Sequence, residues 1–342
     1  MWAIDNQTPF SAERAWVRDK NGAEVWLVAV KGTFLINPDG KLSLAEEQEK
    51  VHLAPEFKGL PEASSLNYDS DLHHKKHSTD ILIQGDAWAP EAKPVRKLNV
   101  SLQIGPINKV VRIIGDRIWK KSIIGLRMSK PLPFLKMPVT YERAYGGTDL
   151  ISKDPKHHGW ELRNPVGCGF ATKPEHLVGK PLPNIEDPTY LIRNWKDNPK
   201  PAGFGPIAGH WSPRVELAGT YDQNWEENRL PLLPDDFNEA YYQCAPSDQQ
   251  IPGFLKGGER FVIKNMTPGG RIEFYLPIVT IGFTTHFESG PSAEHHGVLH
   301  TVRIITDKNK LVLVWHTHLE CHHRVLKLAS TIIRIKQGQL FS

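Results

Sequence analysis

Cysteine is scarce in this sequence: three in 342 residues, at Cys168, Cys244 and Cys321. An odd number of widely separated thiols does not build a disulfide framework. Long apolar runs are missing too. Runs such as Leu311 to Trp315 have strand length, and none nears the roughly 18 residues of a membrane span. No sign of charge dominates, since 42 lysines and arginines face 38 aspartates and glutamates, a formal net charge of +4. That leaves no basic arm for nucleic acid. The nearest approach, His73-His74-Lys75-Lys76-His77, is short and reads as a solvated turn. The opening stretch, residues 1–10, has neither the basic nor the apolar part of a secretory leader. These absences point to a cytoplasmic chain, with no membrane insertion and no nucleic-acid partner.

What is present is turn-rich and β-rich. The chain has 27 glycines and 27 prolines, and 39% of it is hydrophobic, with ten tryptophans and thirteen phenylalanines to build a core. Period-two stretches flank recognisable turns. Arg14 to Arg18 and Glu24 to Ile36 enclose Asp19-Lys20-Asn21-Gly22, and Leu98 to Ile104 and Lys109 to Trp119 enclose Gly105-Pro106-Ile107-Asn108. Arg260 to Met266 and Arg271 to Leu276 enclose Thr267-Pro268-Gly269-Gly270. Thr301 to Thr306 and Leu311 to His318 enclose Asp307-Lys308-Asn309-Lys310. Ile81 to Ala87 alternates, and Val325 to Ile335 reads as a last strand whose Leu326/Ala329/Ile333 spacing also suits a short helix.

Between about 130 and 255 the periodicity fades into Pro/Gly/Trp punctuation, with one short helix expected at Asp235 to Gln243 behind an aspartate cap. The expected fold is mainly β. Antiparallel sheets, sandwich- or barrel-like, stand at both chain ends around a loop-rich, aromatic middle with one or two short helices. We treat 1–342 as one unit with three regions: N-terminal β (1–128), irregular (129–255) and C-terminal β (256–342).

Chemistry-bearing residues form no standard constellation. The densest metal-like set is His316, His318 and Cys321, whose imidazoles and thiolate suit zinc but whose spacing fits no known motif. The bland reading places these rings in solvent at a strand end, and no metal or other cofactor is expected. Asp235-Asp236, Glu226-Glu227 and Asp69 with Asp71 supply carboxylate pairs without marking an acid and a nucleophile. No GxSxG and no phosphate-cradling glycine loop occurs. Cys168, between two glycines, reads as an inert thiol. Arg143, Arg214, Asp222 and Glu186 sit among aromatics and prolines, where arginine and carboxylate either fix loop backbone or serve a protein-binding surface.

A series of phrases runs in a fixed order along the sequence. It includes Val30-Lys31-Gly32-Thr33-Phe34, His77-Ser78-Thr79-Asp80-Ile81-Leu82-Ile83, and Gly115-Asp116-Arg117-x-Trp119. It continues through Tyr141-Glu142-Arg143-Ala144-Tyr145-Gly146-Gly147, Asn164-Pro165-x-Gly167-x-Gly169, and Pro201-Ala202-Gly203-Phe204-Gly205-Pro206-Ile207. Trp211-x-Pro213-Arg214, Ala218-Gly219-Thr220-Tyr221-Asp222-x-x-Trp225 and Leu233-Pro234-Asp235-Asp236-Phe237 close it. In this order the phrases resemble the bacterial family catalogued as domain of unknown function 2169.

The resemblance implies an adaptor, or chaperone, of type VI secretion. Such a protein performs no turnover; it binds a cognate toxic effector and helps load it onto a spike protein of the VgrG or PAAR type. Among the resembling residues, Gly146, Gly147 and Gly219 read as backbone requirements. Arg143, Trp211, Arg214, Tyr221, Asp222 and Trp225 are the candidates for either fixing the fold or touching the partner. Two rival readings are a metal- or carboxylate-dependent hydrolase and a carbohydrate- or envelope-binding module suggested by the ten tryptophans.

Overall fold

The computed structural model describes residues 2–123 and 125–339. Numbering the main strands in chain order, the largest sheet has seven strands. In spatial order it runs β8 (Gln250–Pro252), β4 (Ser78–Gln84), β13 (Val298–Ile305), β14 (Lys310–Glu320), β3 (Glu24–Ile36) and β2 (Ser11–Arg18), with Leu42–Leu44 also paired to β3. A five-stranded sheet orders β7 (Ile185–Glu186), β6 (Ile107–Ile114), β5 (Lys97–Ile104), β9 (Arg260–Lys264) and β10 (Arg271–Tyr275). A four-stranded sheet orders β1 (Ala3–Asn6), β15 (Leu328–Gln339), β11 (Ile278–Phe287) and β12 (Ala293–His296). The mainly β fold expected from the sequence is observed. Within these three sheets two pairings are parallel, β4 with β13 and β1 with β15.

The central strands lie where their composition requires. β3 is β-branched and aromatic without alternation, and it is buried on both faces; β14 likewise. At the edge, β2 alternates partly buried with exposed residues. Gly32 lies inside β3, where a Cβ would stand 3.0 Å from the ring of Phe10. Its bare Cα lets that ring close over the sheet onto Phe34 and Trp315.

Cross-strand register assigns the two faces of the large sheet. Trp26, Val28 and Val30 share a face with Trp315 and Leu313, and this face joins one contiguous apolar core with residues of the other two sheets. The opposite face carries Lys31, Asp80, Thr301, Arg303, His316 and His318. Loops from the two irregular stretches, roughly 45–77 and 203–249, cover that polar face.

Three local expectations are corrected. The strand expected to reach Trp119 ends at Ile114, because Gly115 passes so close to the Leu132 carbonyl that the chain must bend there. No helix spans Asp235 to Gln243; that stretch holds a single 3₁₀ turn, Glu239–Tyr242, capped by the Asn238 side chain. The α-helix, α1, is Gln223–Asn228, and its cap is Asp222. Asp236 is unavailable as a cap because its carboxylate accepts from the Thr220 amide and hydroxyl.

Candidate functional site

The polar face of the large sheet is ordered by charges that water does not reach. Asp80, on β4, has no exposed surface; it accepts from Lys76 Nζ at 2.7 Å, Gln243 Nε2 at 2.6 Å and the Cys244 amide at 2.9 Å. Burial disfavours the Lys76 charge, but Asp80 outweighs it and leaves the ammonium pKa raised. Lys31, on β3, donates to Asp71 at 2.8 Å, and here burial wins and lowers the lysine pKa. Through such bonds the irregular stretches are tied down to the strands beneath them.

Beside this network stands a column of imidazoles. The His300 and His316 rings stack with centroids 4.7 Å apart, and His73 stacks against both at 5.4 and 5.6 Å. Tyr242 and Phe254 flank the column. Neither ring nitrogen of His316, nor Nδ1 of His73 or His300, has a hydrogen-bond partner among the described residues. Burial holds His73 and His300 well below the ordinary histidine range and His316 at about 3, with neighbouring Lys76 and the other rings adding to it. The column is therefore neutral at physiological pH. One turn of the strand further on, His318 Nε2 faces His74 Nε2 at 3.3 Å, and His74 Nδ1 lies 3.5 Å from Glu239.

These positions correct two readings. His73-His74-Lys75-Lys76-His77 is not a solvated turn, because His74 and Lys76 are buried and His73 is half-buried with its Nδ1 shut off from water. His316 is likewise a core side chain rather than a ring in solvent. Nor do His316, His318 and Cys321 converge. Cys321 is buried with its sulfur toward the Leu319 carbonyl, and among the described residues no group of three metal-binding side chains is assembled.

A groove of about 930 Å³ opens where the loop layer stops short of edge strand β2. β2 lines it with Val17 and the edge of Trp16, whose ring turns to the opposite face; Phe57 and Leu72 come from the first loop stretch, Leu232, Tyr241 and Tyr242 from the second, and His73 and His74 complete the lining. Burial pushes the Tyr242 hydroxyl up to about 12, so it stays protonated. The polar groups of the groove already serve the fold. Arg214 reaches Asp69 at 2.9 Å, the Tyr241 carbonyl at 3.0 Å and the Ile207 carbonyl at 2.5 Å.

The six sequence candidates divide accordingly. Trp211 is fully buried, edge-on to Tyr141, and Arg214 is the buried clamp just described. Arg143 donates to Asn184 at 3.0 Å. Asp222 caps α1 through the Trp225 amide at 2.9 Å, Trp225 donates its indole N–H to the Leu232 carbonyl at 2.8 Å, and the exposed Tyr221 ring packs edge-on against it. Trp225 thus pins a groove wall from behind. Sequence reasoning missed His73, His74, Trp16 and Tyr242, none of which carries a local signal for the site. Four of the ten tryptophans, Trp26, Trp119, Trp211 and Trp315, are core residues, so aromatic content is largely packing.

Residues 21–316 match the family model described as an uncharacterized protein conserved in bacteria, DUF2169. The chain belongs to that family. Neither a curated protein nor a solved structure matches it. In this DUF2169 protein the matched span takes in the histidine column and two walls of the groove, while the β2 wall precedes it and His318 and Cys321 follow it. Among the described residues no helix is long and apolar enough to cross a membrane.

Proposed function

We propose that the groove beside β2 is a protein-binding site, and that this DUF2169 protein is an adaptor of type VI secretion. In this reading it works in the cytoplasm without turnover. It holds a cognate toxic effector and presents it to a spike protein of the VgrG or PAAR type. One observation carries the reading: apart from Arg18, the charged groups that line the groove, Arg214, Asp69 and Asp19, are engaged by bonds within the fold, whereas its apolar and aromatic walls are left open. Open apolar surface of this kind is characteristic of recognition sites. Binding there covers apolar effector surface until contact with the spike becomes the more favourable one.

Co-expression with the effector and spike proteins encoded beside this gene, followed by size-exclusion chromatography with light scattering, tests the proposal. A complex of defined stoichiometry, with an effector that is insoluble or undelivered when made alone, is the expected result. Well-folded protein that captures none of these neighbours overturns it.

A further inference from the structure

The groove is bordered by a strand whose outer edge is unpaired. β2 is hydrogen-bonded to β3 alone, in an unbroken antiparallel register from Ser11↔Lys31 to Arg18↔Glu24. The hairpin fixes which backbone groups face out. The Asp19 amide donates to the Ala23 carbonyl at 3.0 Å, so the bonded pairs are those at odd positions: Val17 with Val25, Ala15 with Leu27, Glu13 with Ala29. The far side of β3 agrees, because the Glu24 carbonyl accepts from Cys321 at 2.9 Å, which turns the even residues of β3 toward β14. The amides and carbonyls of Ala12, Arg14, Trp16 and Arg18 therefore point away from the sheet. Among the described residues no backbone group receives them; the Arg14 amide touches only the neighbouring Glu13 carboxylate, at 3.3 Å.

Edge strands of folded proteins are usually kept short, bulged, covered or interrupted by proline. β2 has eight residues, no proline and no bulge, and so presents about 26 Å of unpaired edge. From this we infer that the partner binds as an extended segment added to the outer edge of β2, extending the seven-stranded sheet while its inward side chains fill the groove. The inference rests on the adaptor reading and supplies the chemistry of what is bound.

Side-chain placement on β2 also defines the occupant. Val17, Ala15 and Glu13 share the face of Leu27 and His318, the side on which the groove lies; Val17 lines the groove, and with Ala15 it asks for apolar residues at alternate positions of the added strand. On the other face Arg14 and Arg18 are exposed on either side of Trp16, and Arg18 has no carboxylate partner among the described residues. Acidic residues in the added strand complement that face. A second copy of this chain does not, since two β2 edges paired together would bring four arginines onto one side of the joint sheet.

Proline scanning combined with hydrogen exchange on the full chain tests this, the probe being the effector encoded beside the gene. Arg14→Pro removes one outward N–H, and Arg14→Ala keeps it while losing the same side chain. The expected result is effector binding at least tenfold weaker in Arg14→Pro than in Arg14→Ala, since both lose the Arg14 charge and only the proline variant also loses the outward N–H. The amides of Ala12, Arg14, Trp16 and Arg18 gain protection on binding, while those of Glu13, Ala15 and Val17 are protected already in the free protein. Equal binding by both variants, or no gain at the even positions, overturns strand addition and leaves the adaptor reading standing. A chain that dimerises through β2 in the absence of effector also overturns it. Failure of the wild type to bind the effector removes the adaptor reading and this inference with it. If Arg14→Pro does not fold, the alternating protection in the wild type decides.

Discussion

Asp80 and Lys76 form an ion pair with almost no access to water, and a buried pair of this kind is costly to break from one side only. Asp80→Ala leaves the Lys76 ammonium, the Gln243 amide and the Cys244 amide without their acceptor. A loss of about 3–5 kcal/mol is expected, read as the urea midpoint multiplied by the slope. The imidazole column gives a second outcome. Its histidines titrate below the value of about 6.5 that they have in the unfolded chain, so on acidification the unfolded chain takes up protons that the folded one refuses. Their contribution is complete above about pH 6.5 and is lost as pH falls toward the folded values, at up to about 1.4 kcal/mol per pH unit for each ring. His316→Leu removes one of them together with two unpartnered nitrogens. Urea melts at about pH 7 and about pH 5 will show a smaller acid loss in His316→Leu than in wild type. Arg214 was legible as a residue of interest because arginine among aromatics and prolines has few ordinary uses. His73 was not, because its burial is made by Tyr242, His300 and His316, distant in sequence, whereas its immediate neighbours look solvated.

Among elements, the strands that alternate and the turns with glycine at fixed places were readable: Asn21-Gly22, Gly269-Gly270 and Asn309, which takes a left-handed conformation after the Thr306–Lys308 turn. Pairing partners were not, since nothing local in Ser78–Gln84 says that it lies parallel to Val298–Ile305. The helix was misplaced for a related reason. Asp222 and Asp236 offer the same capping chemistry, and the choice between them depends on Thr220, which occupies Asp236 across the chain. Gly146, by contrast, was identifiable as a backbone requirement. It has φ +152°, and a Cβ there would lie 2.1 Å from the Asn164 carbonyl oxygen. Gly146→Ala is expected to cost about 2–3 kcal/mol, visible as a lowered urea midpoint or as insoluble expression.

Across the whole molecule, chain ends that the sequence presents as separate β regions share one sheet: β3 lies between β2 and β14, and β4 beside β13. A fragment ending at residue 255 therefore lacks the neighbours of β3 and β4 on one side and will not fold, which a collapsed amide dispersion in its ¹H–¹⁵N spectrum will show. The same interleaving sets a clock during protein synthesis. β3 is complete once residue 36 is made, but its partner β14 is complete only at Glu320. At about 5–20 residues per second, the ribosome takes on the order of 15–60 s to supply it. For that interval the most apolar strand of the protein has an open edge and bare faces, so chains stalled before β14 will be cut within β3 by added protease while released chains resist. The sheet does not close before residue 320 is made, and for that half-minute or so the nascent chain is itself a client for a chaperone.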